Sequence, residues 1–220
     1  MSKRIAVAID GPAGSGKSTI ARLAAERLGF LHINSGAMYR AIAWWARENG
    51  TPLDDTAKLT ELARAAELSL ASGRVILNGR DITDEIAALG EGASQVATVR
   101  GVREALVAKQ REYRETGSIV MEGRDIGTVV FPDAEVKIYL DASPMERALR
   151  RRDEHGGDLE AVARQIAERD DRDRTRADSP LRQAPDAIYV NTDGKSIEEV
   201  VEIVLKAVRD RTANGKEIHR

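Results

Sequence analysis

The chain has 220 residues, with 34 Lys and Arg against 36 Asp and Glu and a formal net charge of -2. A hydrophobic content of 42% at this length supports one packed domain and excludes wholesale disorder, and the absence of cysteine excludes disulfides and thiolate metal sites. The near-neutral balance gives no global attraction to nucleic acid or membrane.

In chain order, the first element is the apolar run "IAVAI" at 5–9, read as a strand. It leads into Gly11-Pro12-Ala13-Gly14-Ser15-Gly16-Lys17-Ser18-Thr19, which fits the spacing G-x-x-x-x-G-K-[ST]. Glycines let backbone N–H groups turn inward around an anion, and the positive end of the following helix adds to that field. In such a loop the lysine, Lys17, reaches the β- and γ-phosphates and the hydroxyl, Ser18, is a candidate ligand for Mg²⁺. The next run, 18–28, places Ile20, Leu23, Ala24 and Leu28 on one helical face, and Gly29 ends it. The motif therefore has the strand before it and the helix behind it that a nucleoside triphosphate site needs, with ATP or GTP as the expected ligand.

A second strand is read at 30–34, followed by "NSGAMYR" with Ser35 and Arg40 just past its carboxyl end. Helices are expected at about 54–66 and 94–115. Between them, 68–83 carries β-rich pieces broken at Ser72-Gly73 and Asn78-Gly79, predicting a small antiparallel insert. Strands follow at 118–121, 136–140 and 187–191. Five strands alternating with helices predict an α/β fold, a five-stranded parallel sheet with helices on both faces. Arg124 and Asp125 follow the third strand of that sheet, at the carboxyl edge where open parallel sheets bind ligands. Ser143-Pro144-Met145-Glu146 and Ser196-Ile197-Glu198-Glu199 each open a helix with a cap residue and an acid three positions on.

Arginine is dense from 147 to 176. If "ERDDRDRTR" at 168–176 is helical, Arg169, Arg172, Asp173 and Arg176 share one face, while Asp170, Asp171 and Arg174 point elsewhere. Three cations against one anion on that face call for an external anion, and a bound phosphate chain supplies one. The tail from 212 to 220 is expected to fray. The chain reads as a single domain, 1–220, with no linker dividing it.

Three classes compete for the fate of the γ-phosphate. A switch GTPase would carry an "NKxD"-type guanine reader near a late strand, whereas this chain has "TDGKS" there. A motor or transporter ATPase would show an apolar strand ending in an acidic pair, and no convincing candidate appears. A small kinase would carry an arginine-rich second site for an acceptor, which this chain offers. His32, His155 and His219 are scattered, so a His-based metal cluster is not expected.

Taken together, "IDGPAGSGKST", "SGAMYRA", "ASQVA", "VREAL", "GRDIGTVVFPDAEVKIYLDAS" and "ERDDRDRTR" resemble, in order and over nearly the whole chain, the bacterial cytidylate kinases of the nucleoside monophosphate kinase group of P-loop proteins. The resemblance implies an ATP:CMP phosphotransferase acting on CMP and dCMP with Mg²⁺. It implies an acceptor-binding region over 35–115 that includes the β insert, and a mobile lid over 147–177. By position, Ser94, Arg103 and Asp125 resemble the cytosine readers, and Arg169 and Asp173 the ribose contacts. Arg40, Arg124 and Arg176 resemble the acceptor-phosphate clamp, with Ser35 beside them. Lys17, Arg124, Arg169 and Arg176 are the expected catalytic set. Ser18 stands where some relatives have glycine, so its metal role is less firmly implied than the role of Lys17.

Elementary chemistry checks the base assignment. An aspartate accepts from the cytosine amine, an arginine donates to ring acceptors, and uracil presents the reverse pattern. Adenine shows the same donor–acceptor pair as cytosine, so its rejection needs pocket size or a contact to the cytosine O2. Another nucleotide or small-molecule acceptor, or a nucleotide-binding regulator without turnover, stays open on the residues alone. A cytoplasmic monomer with no nucleic-acid or membrane partner is expected.

Overall fold

In the computed structural model the described residues are 4–71 and 73–217, so Ser72 and residues 218–220, with His219, lie outside them. Five parallel strands form the main sheet: β1 (Ala6–Asp10), β2 (Leu31–Asn34), β6 (Ile119–Gly123), β7 (Val136–Asp141) and β8 (Ile188–Asn191). Their order across the sheet is β2-β6-β1-β7-β8. Both faces are covered because side chains alternate along each strand. Val7 and Ile9 pack with Ile20 and Ala24 of α1 (Lys17–Leu28) and Val200, Val201 and Val204 of α8 (Ile197–Glu217). Ala6 and Ala8 face the opposite core, built on α2 (Ser35–Glu48), α3 (Thr56–Ala65) and α5 (Arg100–Thr116).

The β insert is a three-stranded antiparallel sheet of β3 (Leu68–Ala71), β4 (Arg74–Leu77) and β5 (Arg80–Asp81). Asn78 and Gly79 turn the chain with φ of 50° and 79°, as an Asn-Gly hairpin turn requires. Leu70, Val75 and Leu77 seat the insert on the larger core.

Two details depart from the sequence reading. The helix expected at 94–115 is two helices, α4 (Gly90–Val96) and α5, broken at Ala97–Val99. Both halves are apolar on the core side, so periodicity does not mark the break. After β6 the chain makes a π-helical turn, Ile126–Val130, in which Val130 N donates to Asp125 O at 3.2 Å and Phe131 N to Ile126 O at 2.7 Å. The last helix runs to Glu217, with the Thr212 hydroxyl on the Val208 and Arg209 carbonyls, and of the tail expected to fray, 212–220, residues 218–220 lie outside the described residues.

Two helices make the arm over the cleft, α6 (Pro144–His155) and α7 (Leu159–Thr175). The expected caps are in place: Glu146 N donates to Ser143 Oγ, and Ser196 and Glu199 cap each other reciprocally.

Candidate active site

The strand β1 runs into the glycine-rich loop, which wraps the N-terminus of α1. Gly14 has φ 74°, and a Cβ there would lie 2.8 Å from the Arg147 carbonyl oxygen, so both conformation and space demand glycine. A Cβ on Gly11 would lie 2.1 Å from the Leu140 carbonyl oxygen. Ala13, Gly14, Gly16, Lys17, Ser18 and Thr19 line a cleft, whereas Gly11, Pro12 and Ser15 shape the loop from behind. Lys17 Nζ donates to Pro12 O at 2.9 Å. Burial, reinforced by the Arg124 charge, holds the Lys17 ammonium well below its ordinary pKa. Such a lysine gains strongly from an arriving phosphate.

The same cleft is lined by Ser35, Arg40, Ser94, Arg103, Arg124, Asp125, Arg169, Asp173 and Arg176. Every acceptor-side residue expected from the sequence therefore meets the donor loop in one place. The chain brings them from α2, α4, α5, the end of β6 and α7.

Their pairing is dense. Arg103 Nη2 donates to Asp125 Oδ2, and Arg176 Nη2 to Asp125 Oδ1 at 3.4 Å. Arg124 Nε donates to Asp173 Oδ2 at 2.8 Å, and Ser94 Oγ to Asp173 Oδ1 at 3.1 Å. Burial works against the Asp173 charge, but Arg124 and Arg169 outweigh it and hold its pKa below the ordinary carboxyl value. Cation is in excess. Burial and then Arg124 push Arg169 down to about 10, and burial lowers Arg40, whose Nε has no hydrogen-bond partner. Arg151 also lines the cleft, beside Arg40 and Arg169. Arg103 Nε and Nη1 are likewise buried and unpartnered, with the guanidinium 5.6 Å from the Tyr39 ring centroid. Ser35 Oγ is already committed to Glu122 O at 2.6 Å.

The helical face expected at 169–176 is partly redistributed. Arg169 and Asp173 face the cleft, and Arg176 does so from just beyond the end of α7, where its backbone leaves the helix. Arg172 turns instead to Glu91 Oε1 at 2.9 Å. Asp170, expected to point away, is buried under the glycine-rich loop: it accepts from Ala13 N at 3.3 Å and from Arg147 Nη1, which also donates to Ala13 O at 3.0 Å. The long stem of Arg147 lets a residue on α6 reach the loop.

Two acids at strand ends went unremarked in the sequence. Asp10 ends β1, and its oxygens accept from Ile126 N at 2.8 Å and Gly127 N at 2.7 Å. Burial pushes its pKa up to about 7 against those two bonds. Glu122, in the apolar strand β6, accepts from Ser18 Oγ at 2.7 Å. Burial opposes its ionisation, but neighbouring His32, Lys17 and Ser18 outweigh that and hold it below its ordinary value. The signal was available as a single acid at the end of an apolar strand. The register that aims it at Ser18 was not.

A family model described as cytidylate kinase matches residues 7–210. The chain is 52% identical over 224 residues to the cytidylate kinase of Solibacter usitatus (strain Ellin6076), covering 98% of this chain and 97% of that one. It is 46% identical to the cytidylate kinase of Geobacillus kaustophilus (strain HTA426), covering 96% and 99%. Among solved structures, a gluconokinase from Sinorhizobium meliloti 1021 superposes with a TM-score of 0.54 at 15% identity over 99% of this chain and 100% of that one, a likeness of fold.

Proposed function

The chain belongs to the cytidylate kinase family, and from that membership and the cleft we infer its reaction: it transfers the terminal phosphoryl group of ATP to CMP, giving ADP and CDP. We take dCMP as a second acceptor. The observation that carries the reading is that the phosphate loop with Lys17 and the arginine group around Asp125 and Asp173 line one cleft.

In this reading the loop N–H groups and Lys17 hold the donor phosphates. Arg40, Arg124 and Arg176 hold the acceptor phosphate, and Arg169 and Asp173 hold its ribose. Asp125 accepts from the cytosine amine, while Arg103, with two donors to spare, faces the ring acceptors. Ser94 orients Asp173 and borders the base. Adenine offers the same pair of groups, and the wall of Tyr39, Ala93 and Ala97 is assigned the task of excluding the larger ring.

The attacking atom is a phosphate oxygen already anionic at neutral pH, so no general base is required. Catalysis is then positioning and charge neutralisation, in which Lys17, Arg124, Arg169 and Arg176 bring two phosphate groups together against their repulsion. The Ser18 hydroxyl and Glu122 carboxylate, 2.7 Å apart, are hard oxygen donors of the kind Mg²⁺ takes, and they would hold it here. Bound with ATP, the ion neutralises charge on the β- and γ-phosphates. The arm of α6 and α7 acts as the lid, excluding water that would compete as acceptor. A cytoplasmic location and a monomeric working state go with this reading, because its substrates are cytoplasmic nucleotides and one chain supplies every side chain used.

The test is ADP release with CMP, dCMP, UMP, AMP and small hydroxylated acceptors. CMP should exceed UMP and AMP in kcat/KM by at least about tenfold, a margin worth about 1.4 kcal/mol. A better acceptor would replace the substrate assignment. ADP release unaffected by any acceptor would reduce the protein to a nucleotide binder.

A further inference from the structure

The pairing of β2 with β6 sets His32 opposite Val120 and Asn34 opposite Glu122. Val120 packs in the core beneath α1. Glu122, two residues on, points the same way, and so does His32 across the strand gap. Both side chains therefore lie under the first turn of α1, which carries Ser18.

One carboxylate oxygen of Glu122, Oε2, accepts from the Ser18 hydroxyl at 2.7 Å. The other, Oε1, is buried with no hydrogen-bond partner and faces His32 Nε2 at 3.7 Å, too long for a hydrogen bond. His32 Nε2 is itself buried and unpartnered. A buried donor and a buried acceptor left facing each other are costly, and under about 1 Å of side-chain movement joins them. His32 has room for that movement, since it borders a second crevice with Arg22, Asn34 and Thr83.

We propose that His32 is a positioning residue for the donor-phosphate end of the cleft. It donates from Nε2 to Glu122 Oε1, locks the carboxylate rotamer, and so keeps Oε2 on the Ser18 hydroxyl at the place where the phosphates of ATP and their Mg²⁺ are held. Without that donor, the carboxylate is free to rotate and Ser18 loses its fixed orientation. The proposal rests on the donor-side half of the kinase reading.

The test compares His32→Leu, which keeps bulk and removes the donor, with His32→Gln, which restores a donor. ADP affinity is measured by calorimetry with and without Mg²⁺, and KM is measured for ATP and for CMP. His32→Leu should lose about tenfold of the gain in ADP affinity that Mg²⁺ brings, as a lost outer partner of a metal-binding group does. Its KM for ATP should rise by a similar factor with KM for CMP unchanged, and His32→Gln should recover most of both. Wild-type behaviour of His32→Leu, equal losses toward ATP and CMP, or a His32→Gln variant no better than His32→Leu would overturn the proposal. Should His32→Leu fail to fold, the Glu122→Ala background decides: there the group that His32 acts through is gone, so adding His32→Leu should change nothing further, and a second loss of about tenfold in the Mg²⁺-dependent gain would refute the link. ADP calorimetry needs no acceptor, so a failure of the CMP assignment would show in the acceptor panel and leave this result readable.

Discussion

Replacing Asp125 by Asn probes the proposed base-reading end of the cleft with almost no change of shape. The Asp125 side chain is buried, with Arg103 Nη2 on one carboxylate oxygen and Arg176 Nη2 3.4 Å from the other. An ionised acceptor makes hydrogen bonds worth about 1.5–3 kcal/mol and a neutral one about 1 kcal/mol, so Asp125→Asn should cost CMP roughly 1–2 kcal/mol of transition-state binding. For UMP the change has the opposite sign: the repulsion between carboxylate and uracil carbonyl disappears, and the amide N–H can donate to that carbonyl for a gain of roughly 1–2 kcal/mol. The two together shrink the CMP-over-UMP ratio of kcat/KM by roughly 30- to 700-fold, at about 1.4 kcal/mol per factor of ten. The assay is ADP release with each nucleotide at saturating ATP, on protein whose circular dichroism matches wild type. A folded variant whose ratio moves less than about threefold would remove Asp125 from base recognition and refute the pairing scheme.

Two further predictions concern buried charges. Asp10 has a pKa raised by burial from 3.8 to about 7, so the folded state prefers its protonated form. Its contribution to stability is full below about pH 4 and lost as pH rises through 7; relative to Asp10→Asn, urea unfolding should show wild type losing about 3 kcal/mol between pH 5 and pH 8, and a constant difference would contradict the burial argument. Arg147→Ala leaves the Asp170 carboxylate buried against Ala13 without its cation, so unfolding free energy should drop by about 3–5 kcal/mol, with partial recovery when Asp170→Asn is added. A loss below about 1 kcal/mol would mean that the pair is exposed to water in solution.

The parallel sheet was legible because each strand is a short apolar run between helical patterns, and the glycine-rich loop because its chemistry is local and contiguous. The Asn78-Gly79 turn was equally plain. Arg124 and Asp125 were legible as charges at a strand's carboxyl edge and Arg169, Asp173 and Arg176 as one helical face, whereas Ser94 and Arg103 came only from likeness to known kinases, since no local pattern marks them. What stayed hidden depended on long-range placement. Glu122 and His32 become neighbours through the β2–β6 register, and Asp170 turns inward because Arg147 arrives from another helix. The break at Ala97–Val99 and the π-helical turn at Ile126–Val130 interrupt apolar stretches that periodicity alone would run through.

The two bonds from Asp10 to the amides of Ile126 and Gly127 have a geometric consequence. One carboxylate ties the strand that launches the phosphate loop to the turn that begins at Asp125. The span between the phosphate loop and the proposed base reader, Asp125, is thus built into the sheet, like the fixed jaw of a vice. If the α6–α7 arm closes as the proposed lid, it would change what roofs the nucleotides while that span stays constant.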